Sequence, residues 1–379
     1  TIRLAYKLIK YNCTRNNLRT FIKESTQLLS YEVTQHTAKT GEKYITQSKG
    51  EYFKMFNTAL GGGLIVGILC IIKVLLSKLD ASDFGHAFLY SMNYSFGFIA
   101  IYVLGFTLAT KQPAMTAARI AAAVDAANGR LSSADRVVEL ITQVARTQFI
   151  SIWGNVLPAF ATATVVAVGL TFLLGESPVA IEKGEKMLLE LNPLLSAALP
   201  HAAIAGVFLF LAGVIAGYYD NLSIYHRIPD RIRKVLWLRK RLGVVRANKL
   251  ADYLSKNTGA LAGNFFFGCM LGSAGFIGLI LGLPIDIRHI TFAAANMAYG
   301  IQAHEFILSG LEVAIAAVGV FLIGMVNLGV SFSLAFFTAL RARGVRRLES
   351  LSLAGRIFKR FFKSPGEFFY PPKEAGAAV

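Results

Sequence analysis

The sequence predicts an all-α, polytopic membrane protein, with six transmembrane helices arranged as three hairpins and amphipathic helices gathered on one face. Three observations predict it. Hydrophobic residues make up 54% of the chain and charged residues 16%, a balance too apolar for an ordinary soluble domain. Six runs reach the roughly 20 apolar residues that a helical span requires: about 57–77, 84–109, 150–174, 195–218, 262–283 and 308–340. Finally, the 39 Lys and Arg residues alternate between connections. Ten precede the first run, the five connections carry 1, 5, 2, 10 and 1, the tail carries 9, and Lys73 lies inside a run.

By the positive-inside rule, both termini and the connections 110–149 and 219–261 face the cytoplasm. The remaining connections hold acidic residues: Asp80 and Asp83, then Glu176, Glu182, Glu185 and Glu190, then Asp286 and Glu305. The net charge of +17 is therefore concentrated on one face. In a polytopic protein that pattern suits the bilayer and its anionic headgroups on the cytoplasmic side better than nucleic acid. Of the cysteines, Cys70 and Cys269 fall in apolar runs and Cys13 in the basic arm, so no disulfide framework is expected.

Residues 1–55 form an arm in which Leu4, Leu8, Ile9, Leu18, Phe21, Ile22, Leu28 and Leu29 alternate with basic residues, as in amphipathic helices. The arm starts at Thr1 with no Met, which fits a piece of a longer precursor. The membrane domain spans 56–340. Within it, "KQPAMTAARIAAAVDAANGR" has a proline suited to a first helical turn and an Ala-rich run of high helix propensity. Ser132 and Asp135 in "SSAD" stand at capping spacing ahead of a helix leading into the third run. Trp237 and Leu238 interrupt the basic run "RIPDRIRKVLWLRKRLGVVR" as in an interfacial segment. The basic tail, 341–379, carries "RRLESLSLAGRIFKRFFK", another interfacial helix candidate. Glycines mark the inward start of each odd-numbered run, at Gly61 to Gly63, Gly154 beside Asn155, and Gly263 beside Asn264, a pattern compatible with a pseudo-threefold plan. The pairs Gly63 and Gly67, Gly213 and Gly217, and Gly268 and Gly272 predict close helix packing.

Four stretches, "TLATKQPAMTAA", "AGYYDNLSIYHRIP", "GNFFFGCMLGS" and "GLPIDIRHITFAAANMAYG", in this order, resemble the proteobacterial membrane proteins classed as Gcr-type site-specific recombinases. The resemblance runs from about residue 30 to 345. It implies the bacterial inner membrane and, by its description, DNA strand exchange. Strand exchange requires a Tyr or Ser nucleophile among Arg and His residues that stabilise a phosphoryl transition state. The nearest approach is Tyr225, His226, Arg227 and Arg231 in "YHRIPDR", where Pro229 stands at the position a His-x-x-Arg reading from His226 would fill with arginine.

Polar residues that interrupt apolar surroundings are the candidates for function. The stretch 281–306 holds Asp286, Arg288, His289, His304 and Glu305, and Glu312 follows in the last run. Together they form a candidate outer gate, in an outer loop or a re-entrant element. A helix would put Asp286 and His289 on one face, and Arg288 could pair with Glu305 across the turn. A candidate inner cluster is Lys111, Gln112, Asp220, Asn221, His226 and Arg227, with an Asp220–Lys111 pair as its bland explanation. Asn93, Asn155, His201, Asn264, Asn296 and Asn327 are polar groups in or beside the runs, by default interhelical hydrogen-bonding residues. Lys73, near the end of its run, reads as snorkelling to the interface. His289, His304 and Asp286 lack a metal spacing motif, and no phosphate loop or dinucleotide fingerprint is present, so no metal and no cofactor is expected. The sequence thus favours a non-enzymatic transporter or lipid-handling component, with a scaffold docking a protein partner, a second copy or anionic lipid through its basic face as the alternative.

Overall fold

The computed structural model describes residues 45–109, 131–342 and 348–372, with short pieces at 2, 4–7, 116–117, 119–120 and 122–123. Regular structure among the described residues is entirely helical. The expected helices of the arm and of "KQPAMTAARIAAAVDAANGR" fall largely outside them.

Helix α1 runs Lys49–Leu76. It begins ahead of its apolar run because Ser48 and Glu51 cap each other's backbone reciprocally. Helix α2, Asp83–Val103, starts on a Ser82 cap. The predicted run to 109 is too long: the chain leaves the helix after Val103, Gly105 takes a left-handed turn at φ 75°, and the Thr107 N–H donates to the Thr58 carbonyl at 3.0 Å. Helix α3, Leu131–Leu174, is continuous through the cytoplasmic helix and the third run and absorbs Pro158, so the expected capping Ser132 lies one residue inside it. A short helix α4, Ile181–Leu189, precedes α5, Ala198–Tyr225. Two single-layer pieces, α6 (Ile228–Lys234) and α7 (Leu236–Leu242), lead to α8, Val244–Leu281. Helix α9, Ile290–Ala303, α10, Gly310–Ala342, and α11, Leu348–Lys363, follow, with a 3-10 turn at Pro365–Phe368 after them.

Five of these helices are long and apolar enough to cross a membrane: α1, α3 from Asp135, α5, α8 and α10 as far as Ala339. Helix α2, with 21 residues, has the length but carries Asp83, His86, Ser91, Asn93 and Ser95. Its polar face is packed, since Ser91 and Ser95 donate to the carbonyls of Cys269 and Phe265 on α8.

Close approach comes from glycine, as expected at Gly63 and Gly67 and at Gly268 and Gly272. A Cβ on Gly63 would lie 2.2 Å from the Asn155 carbonyl oxygen, so α1 and α3 touch backbone to backbone. Gly259 and Gly263 do the same for α8 against α5, and Gly206 for α5 against α10. Gly62 and Gly63 thus face Asn155, and Gly154 faces Phe56 and Ala59, across the α1–α3 interface, whereas Gly61 meets Phe106 and Gly263 faces α5. The aromatic rings of Tyr94, Phe98, Phe267 and Phe292 fill the space between α2, α8 and α9.

Helix α9 has 14 residues, about 21 Å at the α-helical rise. It is buried on every side except at Asn296. Ile290 meets Gly324 of α10, Gly300 meets Leu188 of α4, and Ala303 meets Gly184. The stretch read as a loop or re-entrant element is thus an internal helix flanked by two turns.

Candidate functional site

Backbone outside a helix must find hydrogen bonds within the protein when water is excluded. Two asparagines supply them here. Asn155, 1% exposed, accepts the Ala109 N–H at 2.6 Å and donates to the Thr107 and Ala59 carbonyls, pinning the return after α2. Asn327, fully buried, accepts the Ile290 N–H at 3.0 Å and donates to the Arg288 and Ala202 carbonyls at 2.9 and 2.8 Å. The His201 ring donates to the Pro284 carbonyl at 2.9 Å, and its own carbonyl accepts the Arg288 N–H. Residues 282–289 are therefore held in place by α5 and α10, and α9 starts from a fixed point.

That segment closes one wall of a cavity of about 250 Å³ at the end of the bundle where the Lys- and Arg-poor connections lie. Helix α1 contributes Cys70, Lys73 and Ser77, and α2 contributes Tyr90 and Tyr94. Lys183, Lys186 and Glu190 come from α4 and its end, Asp286, Arg288 and His289 from the segment, and Phe292 and Asn296 from α9. The Lys73 ammonium sits 5.3 Å from the Tyr90 ring centre and 5.9 Å from that of Tyr94, within cation–π range. The Lys183 ammonium donates to the Ser77 hydroxyl. His289 is fully buried between the rings of Phe267 and Phe292.

Arg288 bridges the two carboxylates, at 2.6 Å from Asp286 and 2.9 Å from Glu190. Burial alone would raise the Asp286 carboxyl, but the Arg288 guanidinium and the Ile287 N–H outweigh it and hold the group below its ordinary 3.8. For Lys183, burial comes first and the neighbouring Lys73, Lys78 and Lys186 add to it, all pushing its ammonium below the usual lysine range. The lysines crowd one another while the acids are taken by Arg288.

The predicted outer gate is divided by this geometry. Asp286, Arg288 and His289 meet in the cavity wall, though in a non-helical segment rather than on a shared helix face. Arg288 pairs with Glu190 and Asp286 instead of Glu305, because α9 carries Glu305 to its far end. There the His304 ring binds the Gly300 carbonyl, Glu305 turns the chain with φ 53°, and exposed Glu312 caps α10 through Ser309. His289 and His304 accordingly sit at opposite ends of α9.

The inner cluster is also divided. Lys111 and Gln112 lie outside the described residues. The Asp220 carboxylate accepts the Gly259 N–H at 2.7 Å, tying α5 to α8. Asn221 is half-buried one residue on. His226 and Arg227 belong to a separate open groove of about 400 Å³, shared with Tyr225, Arg231 and Lys234. Arg227 takes a left-handed conformation there, φ 47°, uncommon for a residue with a Cβ. Of the remaining polar residues, Asn93 donates to the Leu69 carbonyl and Asn264 to that of Ala260, while Asn296 lines the cavity. Sequence reasoning missed Lys73, Lys183, Lys186 and Glu190 as site residues; the one signal was that Lys73 is the only cation within an apolar run.

Replacing Arg288 by Gln removes the cation that pairs with both Asp286 and Glu190 and leaves only the more distant Lys73 acting on Asp286. Because Asp286 keeps 43% of its side chain exposed, the expected cost is discounted to about 1–2 kcal/mol, read as a lower midpoint of thermal unfolding. A carboxyl lowered in the fold stabilises above its unfolded value and loses that contribution as pH falls through the folded one. The wild type should therefore lose stability below pH 3.8 through Asp286, and Arg288→Gln should flatten that part of the profile.

No curated protein and no solved structure matches the chain. A family profile described as Site-specific recombinase matches residues 1–371, nearly the whole length, and the chain belongs to that family.

Proposed function

We propose that this multi-pass protein of the bacterial inner membrane binds and hands on a small polar or amphipathic molecule through the cavity, as a non-enzymatic transporter or lipid-handling component. Its termini face the cytoplasm and the cavity faces outward. The observation that carries this reading is the cavity itself: a polar, lysine-lined space set among apolar helices, its wall fixed by hydrogen bonds from neighbouring helices. Intramembrane cations are costly and mark ligand pathways. The test places one cysteine at Ser77 in a chain whose Cys13, Cys70 and Cys269 are replaced by Ala. A membrane-impermeant maleimide added to sealed, right-side-out vesicles should label Ser77→Cys; labelling only after the vesicles are opened overturns the orientation, and none at all overturns the cavity as a binding space.

One observation favours a second reading, DNA strand exchange. Tyr225 is 83% exposed and lines the open groove with His226, Arg227 and Arg231, residue types that a phosphotyrosyl mechanism uses. The groove is built from one helix end and a short helix, with Arg233 tied to Asp230 and Asp252. We expect purified protein to leave supercoiled DNA intact, and Tyr225→Phe to change nothing. Cleavage that forms a covalent protein–DNA product and disappears in Tyr225→Phe establishes the second reading instead.

A further inference from the structure

We propose that the cavity is a receptor for a phosphomonoester-type dianion, either inorganic phosphate or the headgroup of a lipid whose tails remain in the bilayer. The inference rests on the cavity being a binding space and names its ligand. Charge is the first argument. Four cationic side chains line the cavity, Lys73, Lys183, Lys186 and Arg288, against two carboxylates, Glu190 and Asp286. Arg288 is the ion-pair partner of both carboxylates. Among the described residues none of the three lysines forms an ion pair, which leaves an excess of two positive charges. A phosphomonoester carries about −1.5 to −2 at pH 7, so one such group restores neutrality, whereas a monoanion leaves a charge unmet.

Donors are the second argument. The Arg288 side chain is only 10% exposed, and its Nε has no protein acceptor among the described residues. An unmet buried donor is costly. The Asn296 side-chain amide, on the only accessible position of α9, likewise has no hydrogen-bond partner among the described residues. The Asn296 amide and the Lys73, Lys183 and Lys186 ammoniums are donors set around one space, which suits a group with several acceptor oxygens. Size is the third. At about 250 Å³ the cavity falls below the roughly 300–1,000 Å³ of pockets that enclose drug-sized molecules, so it takes a headgroup rather than a whole amphiphile.

The experiment uses the full chain in phosphatidylcholine nanodiscs with radiolabelled inorganic phosphate, and in parallel nanodiscs doped with phosphatidic acid and read by native mass spectrometry. Saturable phosphate binding that phosphatidic acid displaces is expected if both sources fit. Retention of phosphatidic acid without phosphate binding assigns the lipid, and phosphate binding without lipid retention assigns the free ion. In each case Lys183→Gln/Lys186→Gln should weaken binding by about tenfold or more, while Lys54→Gln, on the cytoplasmic end of α1, should not. If the double variant fails to fold, Ser77→Asp, which sets a competing carboxylate beside Lys183, is read in its place and should abolish binding. Undiminished binding in the variants, or equal retention of phosphatidylcholine, overturns the dianion while the cavity reading stands. No retained molecule together with an unlabelled Ser77→Cys overturns both.

Discussion

Asn327→Leu should destabilise the protein more than any other single substitution at the polar positions. Leu matches Asn in branching and heavy-atom count but is bulkier, so some overpacking adds to the loss of three hydrogen bonds at once. The Ala202 carbonyl keeps its helical partner. The Ile290 N–H and the Arg288 carbonyl lie outside regular helix pairing, and at a site with no exposure each orphaned group costs about 1–3 kcal/mol. A loss of about 3 kcal/mol or more is expected, measured as a drop in the unfolding midpoint in detergent. Asn327→Ala should cost less, because the space it opens is polar and can admit a water. Hydrogen exchange gives the local test. Protection at residues 282–290 should fall in Asn327→Leu before protection in α5 or α10, and unchanged protection there removes Asn327 from its role as a pin.

How far the sequence reveals such a residue depends on what the residue meets. The apolar runs and the helical class were legible, because burial in lipid imposes a length and a composition that any single sequence displays. Asn155 and Asn327 stood out as polar groups in apolar runs, and interhelical bonding was the right default. What the sequence could not show is that each serves a non-helical return: 104–109 read as part of the second run, and 282–289 gave no sign of its hydrogen-bond partner on the last run. Asp286, Arg288 and His289 were legible as a charged interruption. Their partner Glu190 and the cation set of Lys73, Lys183 and Lys186 were not, because α4 reaches the cavity from a distant connection and only the fold brings it there. Lys73 illustrates the limit. A lysine near a helix end snorkels by default, and Lys73 does remain exposed, but only the fold shows that its ammonium lies against the rings of Tyr90 and Tyr94 across the α1–α2 interface. The grouping of His304, Glu305 and Glu312 with Asp286 failed for a related reason: proximity in sequence became about 21 Å of separation once residues 290–303 formed a helix.

Gly268→Leu tests the packing on which the cavity depends. A Cβ at this position would stand 2.2 Å from the Ser95 backbone nitrogen, and one turn on, a Cβ at Gly272 would stand 2.3 Å from that of Ser91. Those contacts are with backbone, which cannot swing aside as a flexible side chain does. Helices α2 and α8 must then separate, and the hydrogen bonds from Ser95 to Phe265 and from Ser91 to Cys269, at 2.7 and 3.2 Å, are stretched with them. Overpacking alone costs about 1–3 kcal/mol, and the two strained bonds add about 0.6 kcal/mol each on the scale measured between membrane helices. Gly268→Ala should already lower the unfolding midpoint, and Gly268→Leu should prevent recovery of a monodisperse protein. Because α2 carries Tyr90 and Tyr94 into the cavity wall, Gly268→Ala should also loosen the seat of Lys73 and reduce ligand binding. Gly169, where an added Cβ meets nothing within 4 Å, is the control: Gly169→Leu on the surface of α3 should leave both stability and binding as they are, which separates loss of a fitted interface from the mere addition of a side chain.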